Sequence, residues 1–227
     1  MSSKIDRALY GPSWMEVILG ALLSAVLGVV LAAAFLVTKP VTAVKEVPKE
    51  PAAGVVYYIE GSRDSNKGRS WVAKRQHLVS GLSVTVTEEE LNTALAALQA
   101  PAPKKPGAKE EPAPEAKSAV FVPGTPNILI RDGQMQIGVP VTVDAFDLGL
   151  NLIVQARGGF EKQGDLFVFS PDTLLIGSCA VEKIPGVAGW VMQKIVGTKA
   201  APEDIATAWG KLANVTIDGA QLKLDAP

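Results

Sequence analysis

The chain has 227 residues, a formal net charge of −1, 16 prolines, one cysteine and one histidine. The balanced charge gives no electrostatic reason to expect a nucleic-acid partner. One cysteine excludes an internal disulfide, and one histidine excludes a metal site built from several histidines. A nucleophilic Cys179 would need His77 as its base, and no family motif surrounds either residue. We therefore expect a buried Cys179, a His77 in an exposed loop, no enzyme activity and no cofactor.

The most informative segment is the apolar run 17–37, in which Ser24 is the only polar side chain. As an α-helix it is about 32 Å long, close to the roughly 30 Å of a bilayer core. Its apolar core is longer than that of a cleaved signal peptide, so we expect an uncleaved single-pass anchor. Lysine and arginine are balanced across it. We place the short tail 1–16 in the cytoplasm and the C-terminal domain outside, at the inner (plasma) membrane.

Small residues recur every four positions along this helix, at Gly20, Ser24, Gly28 and Ala32. Such a row lets two helix backbones approach closely, which predicts self-association. The alternative is that small residues are simply common in membrane helices.

After the helix, three prolines predict an extended spacer over 38–54, followed by one α+β domain over 55–227. A strand is expected at 55–60 and a polar loop at 61–68. Residues 100–117 contain five prolines and no large apolar side chain, so a disordered insert is expected to interrupt the domain there.

The stretch 63–77 is basic and contains Trp71. Near a membrane, Arg69, Trp71, Lys74 and Arg75 are candidates for contact with anionic lipid headgroups. The interpretation we favour is a solvated loop and strand with Trp71 in the core. The next segment is clearer: Thr87 and Glu90 have the spacing of a capping box, and a single apolar face follows to residue 98, which predicts a helix from Thr87.

Most of the remaining chain alternates like antiparallel strands. Asp132-Gly133 predicts a type I′ hairpin that pairs Ile130 with Met135 and Ile128 with Ile137. Strands are expected at 139–143, 148–156 and 166–170, with 174–181 extending or following the last of these, and a bulge or bend is expected at Gly158-Gly159. Helices are expected at 185–196 and 202–212, and a final hairpin on Asp218-Gly219. The fold class is α+β, a curved antiparallel meander with about three helices.

Two segments carry more apolar surface than one buried face requires. Residues 166–169 do not alternate, and the helix 185–196 is apolar nearly all round. Ordinary burial on both sides explains them, and so does a bound apolar ligand. In the second case the candidate contacts are Phe167, Phe169, Val187, Trp190, Val191, Met192 and Ile195.

One membrane helix, the segment VTVTEEELNTAL with Leu91-Asn92, long strands, and EKIPGVAGWVMQKI with Ile184-Pro185 resemble the bacterial YpmS-like membrane proteins. That family looks related to the tubular lipid-binding (TULIP) proteins. The insert at 100–117 and the basic stretch are departures from its pattern. The resemblance implies a membrane-anchored cell-envelope protein whose periplasmic domain binds lipid. Membrane lipids and another envelope protein are the expected partners. The alternative is a non-enzymatic scaffold that binds an envelope protein.

Overall fold

A computed structural model describes residues 11–39, 41–46, 48–50, 52–99, 121–144, 149–182, 184, 186–196 and 201–227. The expected insert at 100–117 lies outside these residues. The helices are α1 (Trp14–Thr38), α2 (Gly68–Val79), α3 (Glu88–Gln99), α4 (Val187–Val191) and α5 (Glu203–Trp209). A 3-10 turn (Ser65–Lys67) precedes α2, and a π-helix (Met192–Val196) continues α4. The strands are β1 (Thr42–Val44), β2 (Tyr57–Ile59), β3 (Val84–Thr87), β4 (Phe121–Pro123), β5 (Asn127–Arg131), β6 (Gln134–Val143), β7 (Leu150–Gln163), β8 (Leu166–Ile176), β9 (Cys179–Ala180), β10 (Asn214–Asp218) and β11 (Gln221–Asp225).

Helix α1 begins three residues before the apolar run, at a complete capping box. The Ser13 hydroxyl accepts from the Glu16 N–H at 3.3 Å, and the Glu16 carboxylate accepts from the Ser13 N–H at 3.1 Å. Both bonds satisfy backbone donors that have no partner inside the helix. In the described part of the chain, α1 is the one helix long and apolar enough to span a membrane.

The large sheet is antiparallel, with strand order β4-β6-β7-β8-β9 and β5 paired to another part of β6. Asp132 and Gly133 have φ of 54° and 70°, as a type I′ turn requires. The predicted pairs Ile130–Met135 and Ile128–Ile137 are confirmed. The type I′ turn sets the register of this hairpin. The antiparallel α+β architecture is as predicted.

The predicted bulge is also present. Arg157 lies opposite Thr173 but Gly158 lies opposite Pro171, so Asp172 is the extra residue and sits on β8. A Cβ at position 158 would lie 2.1 Å from the Ser170 carbonyl oxygen, so the close approach of the strands requires glycine. The segment expected to extend or follow the 166–170 strand does extend it, as far as Ile176. Its continuation to residue 181 is wrong, because the chain turns and Cys179 pairs back with Ile176.

The small sheet has the order β10-β11-β3. Asp218 pairs with Gln221, so the final hairpin turns on Gly219 and Ala220, one residue later than predicted. Ala220 therefore lies in the turn. Val215 pairs with Leu224 and Ile217 with Leu222, so these four apolar residues share one face of the hairpin.

Buried side chains form two cores, and Ile137 and Phe169 pack against both. The first core lies between the small sheet, α2, α5 and the β5–β6 hairpin; it contains Leu78, Val84, Val86, Ile128, Ile130, Met135, Ala208, Leu212, Val215, Leu222 and Leu224. The second core lies on the other part of the large sheet, under α4; it contains Val139, Val141, Val143, Val154, Ala156, Leu174, Cys179, Val181 and Val191.

Residues 68–79 form helix α2, so the loop and strand expected there are wrong. The described domain accordingly has four α-helices where about three were expected. Trp71 and Leu78 both pack in the first core, two turns apart on one face. Between them lie Lys74 and Arg75, whose charges are paired within the domain. These two cations hide the apolar period by which a helix is recognised.

The range 38–54 differs from the expected extended spacer. Thr42–Val44 pairs in parallel with Tyr57–Ile59, and the Lys39 ammonium donates to the Gly54 carbonyl. Beyond it, Tyr58 is buried over Gly138, where a Cβ would lie 2.3 Å from the ring. Burial, with a smaller contribution from the charge of Glu60, raises the pKa of Tyr58 to about 12. The segment thus becomes part of the domain.

Candidate functional site

The last turn of α1 is docked on the domain. Ala33 and Val37, one turn apart, pack against the second core. The Ser178 N–H donates to the Leu36 carbonyl at 3.0 Å. Gly177 has φ of 57°, and a Cβ there would lie 2.2 Å from the Val37 carbonyl oxygen. The end of the helix and the β8–β9 turn are therefore held together by direct backbone contact.

A concavity of about 350 Å³ opens beside this contact. We call it the junction groove; its lining includes Lys39, Val41, Pro140, Asn151, Leu152 and Ile153. Most of this wall is apolar, and Lys39 is the one cation in it. Asn151 accepts from the Thr142 hydroxyl at 3.1 Å. An apolar wall with an ammonium group at one end suits an amphiphilic anion.

A larger concavity, of about 540 Å³, lies between the start of α3, β5 and the β10–β11 turn. Its wall includes Glu88, Glu89 and Asp132 beside Arg131. Glu88 already accepts from the Ile130 N–H at 3.0 Å and from the Ser62 N–H at 3.0 Å. Its carboxylate therefore holds β5 and the 61–62 segment in place, which is a structural role.

The same region contains a buried amide network. The Asn92 side chain donates to the carbonyls of Ile128 at 2.7 Å and Ser62 at 2.9 Å, and accepts from the Ile128 N–H at 2.7 Å. Asn127 accepts from the Gly61 N–H at 2.7 Å. A Cβ at Gly61 would lie 1.8 Å from the Ile128 carbonyl oxygen, so the chains meet only because residue 61 is glycine. Asn92 and Glu88 thus satisfy the free edge of β5.

The seven predicted ligand contacts do not gather around one cavity in the described structure. Phe167 packs in the first core, near Trp209, whose indole N–H donates to the Phe167 carbonyl at 2.8 Å. Val191 is fully buried in the second core, and Val187 and Met192 pack against that core. Phe169 touches both cores. The Ile195 side chain lies outside what the structure describes. Most of these apolar side chains are therefore buried in, or packed against, the two hydrophobic cores, both of which include residues of the large sheet.

Trp190 is the exception among the six whose side chains the structure describes, because 45% of it is exposed. Its ring meets Phe121 edge to face, with centroids 5.9 Å apart, and Phe121 is itself 44% exposed.

The four predicted headgroup contacts all lie on α2, but only Arg69 is exposed, and the surroundings of the four differ. Arg69 is exposed, and Trp71 packs against the first core. Lys74 pairs with the buried Glu90 at 2.7 Å, and Arg75 makes two bonds of 2.9 and 2.8 Å to Asp204. The Arg75 guanidinium bonds hold the pKa of Asp204 below its usual value. Partners inside the domain thus occupy two of the three cations, and headgroup contact stays a prediction.

Glu90 is almost fully buried yet charged. Burial favours the neutral acid, but bonds from Lys74, the Ser70 hydroxyl and the Thr87 N–H outweigh it and lower the pKa of Glu90. This bond to Thr87 is one half of the predicted capping box. The helix itself starts at Glu88, with Thr87 still in β3.

The four small residues of α1, Gly20, Ser24, Gly28 and Ala32, are exposed along the helix. A Cβ at Gly20 or Gly28 would meet nothing within 4 Å. This face is therefore open to a second helix, and self-association stays a prediction.

Cys179 is buried in the second core, as predicted, whereas His77 lies exposed on α2 and not in a loop. Within the described ranges, no group of three or more His, Cys, Asp or Glu side chains is placed to hold a metal ion.

Comparison with protein-family models, curated proteins and solved structures finds no match to this chain. The resemblance to YpmS-like and tubular lipid-binding proteins therefore stays a prediction. The junction groove was not predicted from the sequence, because its wall comes from four separate segments that only the folded chain brings together.

Proposed function

We propose that this chain is a single-pass, non-enzymatic protein of the cell envelope that binds a membrane lipid in the junction groove. The observation that supports the proposal is the docking of α1 beside that groove. A helix able to span the bilayer ends against the domain at the residues that border the concavity.

Helix length supports a groove at headgroup depth. The 25 residues of α1 span about 37 Å, which exceeds a bilayer core of about 30 Å. Its last turn is docked on the domain from Ala33 onward. The apolar residues before that turn, 17–32, span about 24 Å, and a bilayer accommodates a mismatch of a few ångströms by local thinning. Lys39 then falls just outside the hydrocarbon, where lysine side chains reach lipid phosphates.

The groove has the size and chemistry for part of a lipid. Its volume of about 350 Å³ falls within the roughly 300–1,000 Å³ of small-ligand sites. Val41, Leu152 and Ile153 offer an apolar wall to the start of an acyl chain, and Lys39, whose ammonium donates to the Gly54 carbonyl, borders the same space. The ligand class is therefore an anionic phospholipid of the surrounding membrane.

The test uses the full chain, since residues 38–54 belong to the domain. Native mass spectrometry after exchange from anionic nanodiscs into a defined detergent counts retained lipids. Lys39→Met keeps the side-chain length and removes the charge; Lys49→Met is the matched control, on an exposed lysine of the same segment. We expect Lys39→Met to lower retained anionic lipid several-fold and Lys49→Met to leave it unchanged. Equal retention in all three proteins would refute the groove as the site.

The proposed placement is inner (plasma) membrane, N-terminus cytoplasmic and domain extracytoplasmic. A reporter fused after Pro227 is expected to be active outside the cytoplasm, and the mass of the membrane-bound chain is expected to include α1. A cytoplasmic reporter signal would reverse the orientation.

A second candidate, the envelope scaffold, is favoured by the edge of β8. Residues 166–173 pair with β7 on one side, and in the described structure β9 pairs only with Leu175 and Ile176 on the other. Leu166 and Val168 on this stretch are 50% and 40% exposed. Apart from the Phe167 carbonyl, which accepts from the Trp209 indole N–H, this strand edge with its apolar side chains suits a partner strand. Val168→Lys would abolish co-purification of such a partner while lipid retention stays intact.

A further inference from the structure

The aromatic patch, which we define as Phe121 on β4 and Trp190 on α4, is the most exposed aromatic pair in the described domain. The two rings contact each other edge to face and are 44% and 45% exposed. Val122, which follows Phe121 within β4, and Ile184, which lies shortly before α4, are exposed as well. Large apolar side chains left in water forgo the free energy of burial, so this surface needs a partner.

The build of α4 explains why Trp190 points outward. Val191 is fully buried in the second core, and its neighbour Trp190 lies about 100° round the helix. The core side of the helix is thus already occupied by Val187, Ala188, Val191 and Met192. Trp190 therefore lies on the side of α4 that faces away from the second core.

The position of the patch indicates the partner. The last turn of α1, at Ala33 and Val37, packs against the same core as α4. The element that carries the patch and the end of the proposed membrane helix therefore pack against one common core. Tryptophan is enriched at the interface of a bilayer, where its apolar ring is buried and its N–H stays hydrated.

We propose that Phe121 and Trp190 insert into the headgroup layer of the membrane that holds α1. The domain then contacts the bilayer at two places, the helix and the aromatic patch, and lies against its surface. This inference rests on the proposed membrane anchoring but does not need the groove to bind lipid.

The experiment measures membrane depth with spin labels on the full chain in nanodiscs. A cysteine replaces Val122, which leaves both aromatic side chains in place, and a second variant carries Trp190→Cys. The control is Gln76→Cys on the exposed side of α2. Cys179 is buried and does not compete for the label. Collision with oxygen, which concentrates in lipid, is compared with collision with a water-soluble nickel complex.

We expect labels at 122 and 190 to favour oxygen and the label at 76 to favour nickel, a reversal of the accessibility ratio. Nickel-dominated relaxation at 122 and 190 would show a surface facing water and overturn the proposal. Protection from both reagents would show a covering protein, either a second copy or a partner, and would overturn it too.

Adding Lys39→Met to the labelled chains separates this proposal from the groove. The depth of the labels is expected to stay the same even where lipid retention falls. Unchanged lipid retention with shallow-membrane labels would refute the groove alone, and loss of α1 from the mass of the chain would refute the anchoring on which both rest.

Discussion

Asn92→Ala removes the side chain that connects α3, β5 and the 61–62 segment. Asn92 is 3% exposed and makes three hydrogen bonds of 2.7 to 2.9 Å, two of them to the backbone of Ile128. Alanine leaves the Ile128 N–H and carbonyl without these partners inside the domain. Each buried polar group without a partner costs about 1–3 kcal/mol, so we expect the free energy of unfolding to fall by about 2–6 kcal/mol.

Thr93→Ala is the matched control for this change. Thr93 is the next residue of α3, and its hydroxyl makes a single bond of 2.9 Å to the Asp64 carbonyl. Thr93 is only partly buried, so water replaces its hydroxyl, and the expected loss is about 0.5–1.5 kcal/mol. Both variants are measured by urea unfolding of the full chain in nanodiscs, followed by tryptophan fluorescence.

Hydrogen exchange locates the effect. The amides of Ile128 and Ile130 lie on the edge of β5, where side chains of α3 accept from them. Asn92→Ala is expected to speed exchange at Ile128 far more than at Ile130, whose partner Glu88 remains. The reasoning is refuted if Asn92→Ala costs no more than Thr93→Ala, or if exchange at Ile128 does not change.

Three further predictions concern charge, backbone contact and helix packing. Folding lowers the pKa of Glu90, so the charged Glu90 stabilises the domain above its unfolded-state pKa, and this stability is lost as pH falls through the lower folded-state pKa. Lys74→Met is therefore expected to lower the free energy of unfolding by about 1–3 kcal/mol at neutral pH and by less at pH 4. Equal losses in urea unfolding at both pH values would contradict this prediction. Gly177→Ala is expected to break the hydrogen bond from the Ser178 N–H to the Leu36 carbonyl and to speed hydrogen exchange at the Ser178 amide. Gly164→Ala is the control for backbone strain alone, because Gly164 has a similar φ of 64° and no atom lies within 4 Å of a Cβ there. Equal shifts of the melting temperature in the two variants would argue against docking of α1. Gly28→Leu is expected to lower energy transfer between labelled copies in vesicles, and Val29→Leu, on a different face of α1, is the control; unchanged transfer would exclude self-association through the small residues.

Local chemistry allowed the hairpins to be predicted. A type I′ turn needs positive φ at two successive residues, and Asp132-Gly133 is among the few pairs that adopt it readily. The alternation on either side then fixes which residues pair. At the final hairpin the turn falls on Gly219 and Ala220, because Asp218 still pairs across the strands. A glycine marks the position of a turn to within one residue, and pairing across the strands decides the rest.

Helix α2 was missed because tertiary partners replace the apolar period. Between Trp71 and Leu78, the helix presents Lys74 and Arg75 toward the domain. Their partners, Glu90 and Asp204, are 16 and 129 positions away in the chain. The hydrophobic pattern of residues 68–79 contains no information on ion pairs with residues so far away in the chain. A helix face that includes two cations therefore resembles a solvated loop in the sequence.

The end of α1 shows the same limit in an apolar segment. Ala33 and Val37 contact the second core, while the residues before them are exposed along the helix. Lipid tails and a protein core are both apolar, so hydropathy treats the whole run 17–37 as membrane. Helix length separates the two environments, because about 37 Å of helix exceeds the bilayer core by more than one turn. That extra turn packs against the second core, beside the junction groove that Lys39 borders, and this contact is the reason the proposals place the groove near the membrane surface.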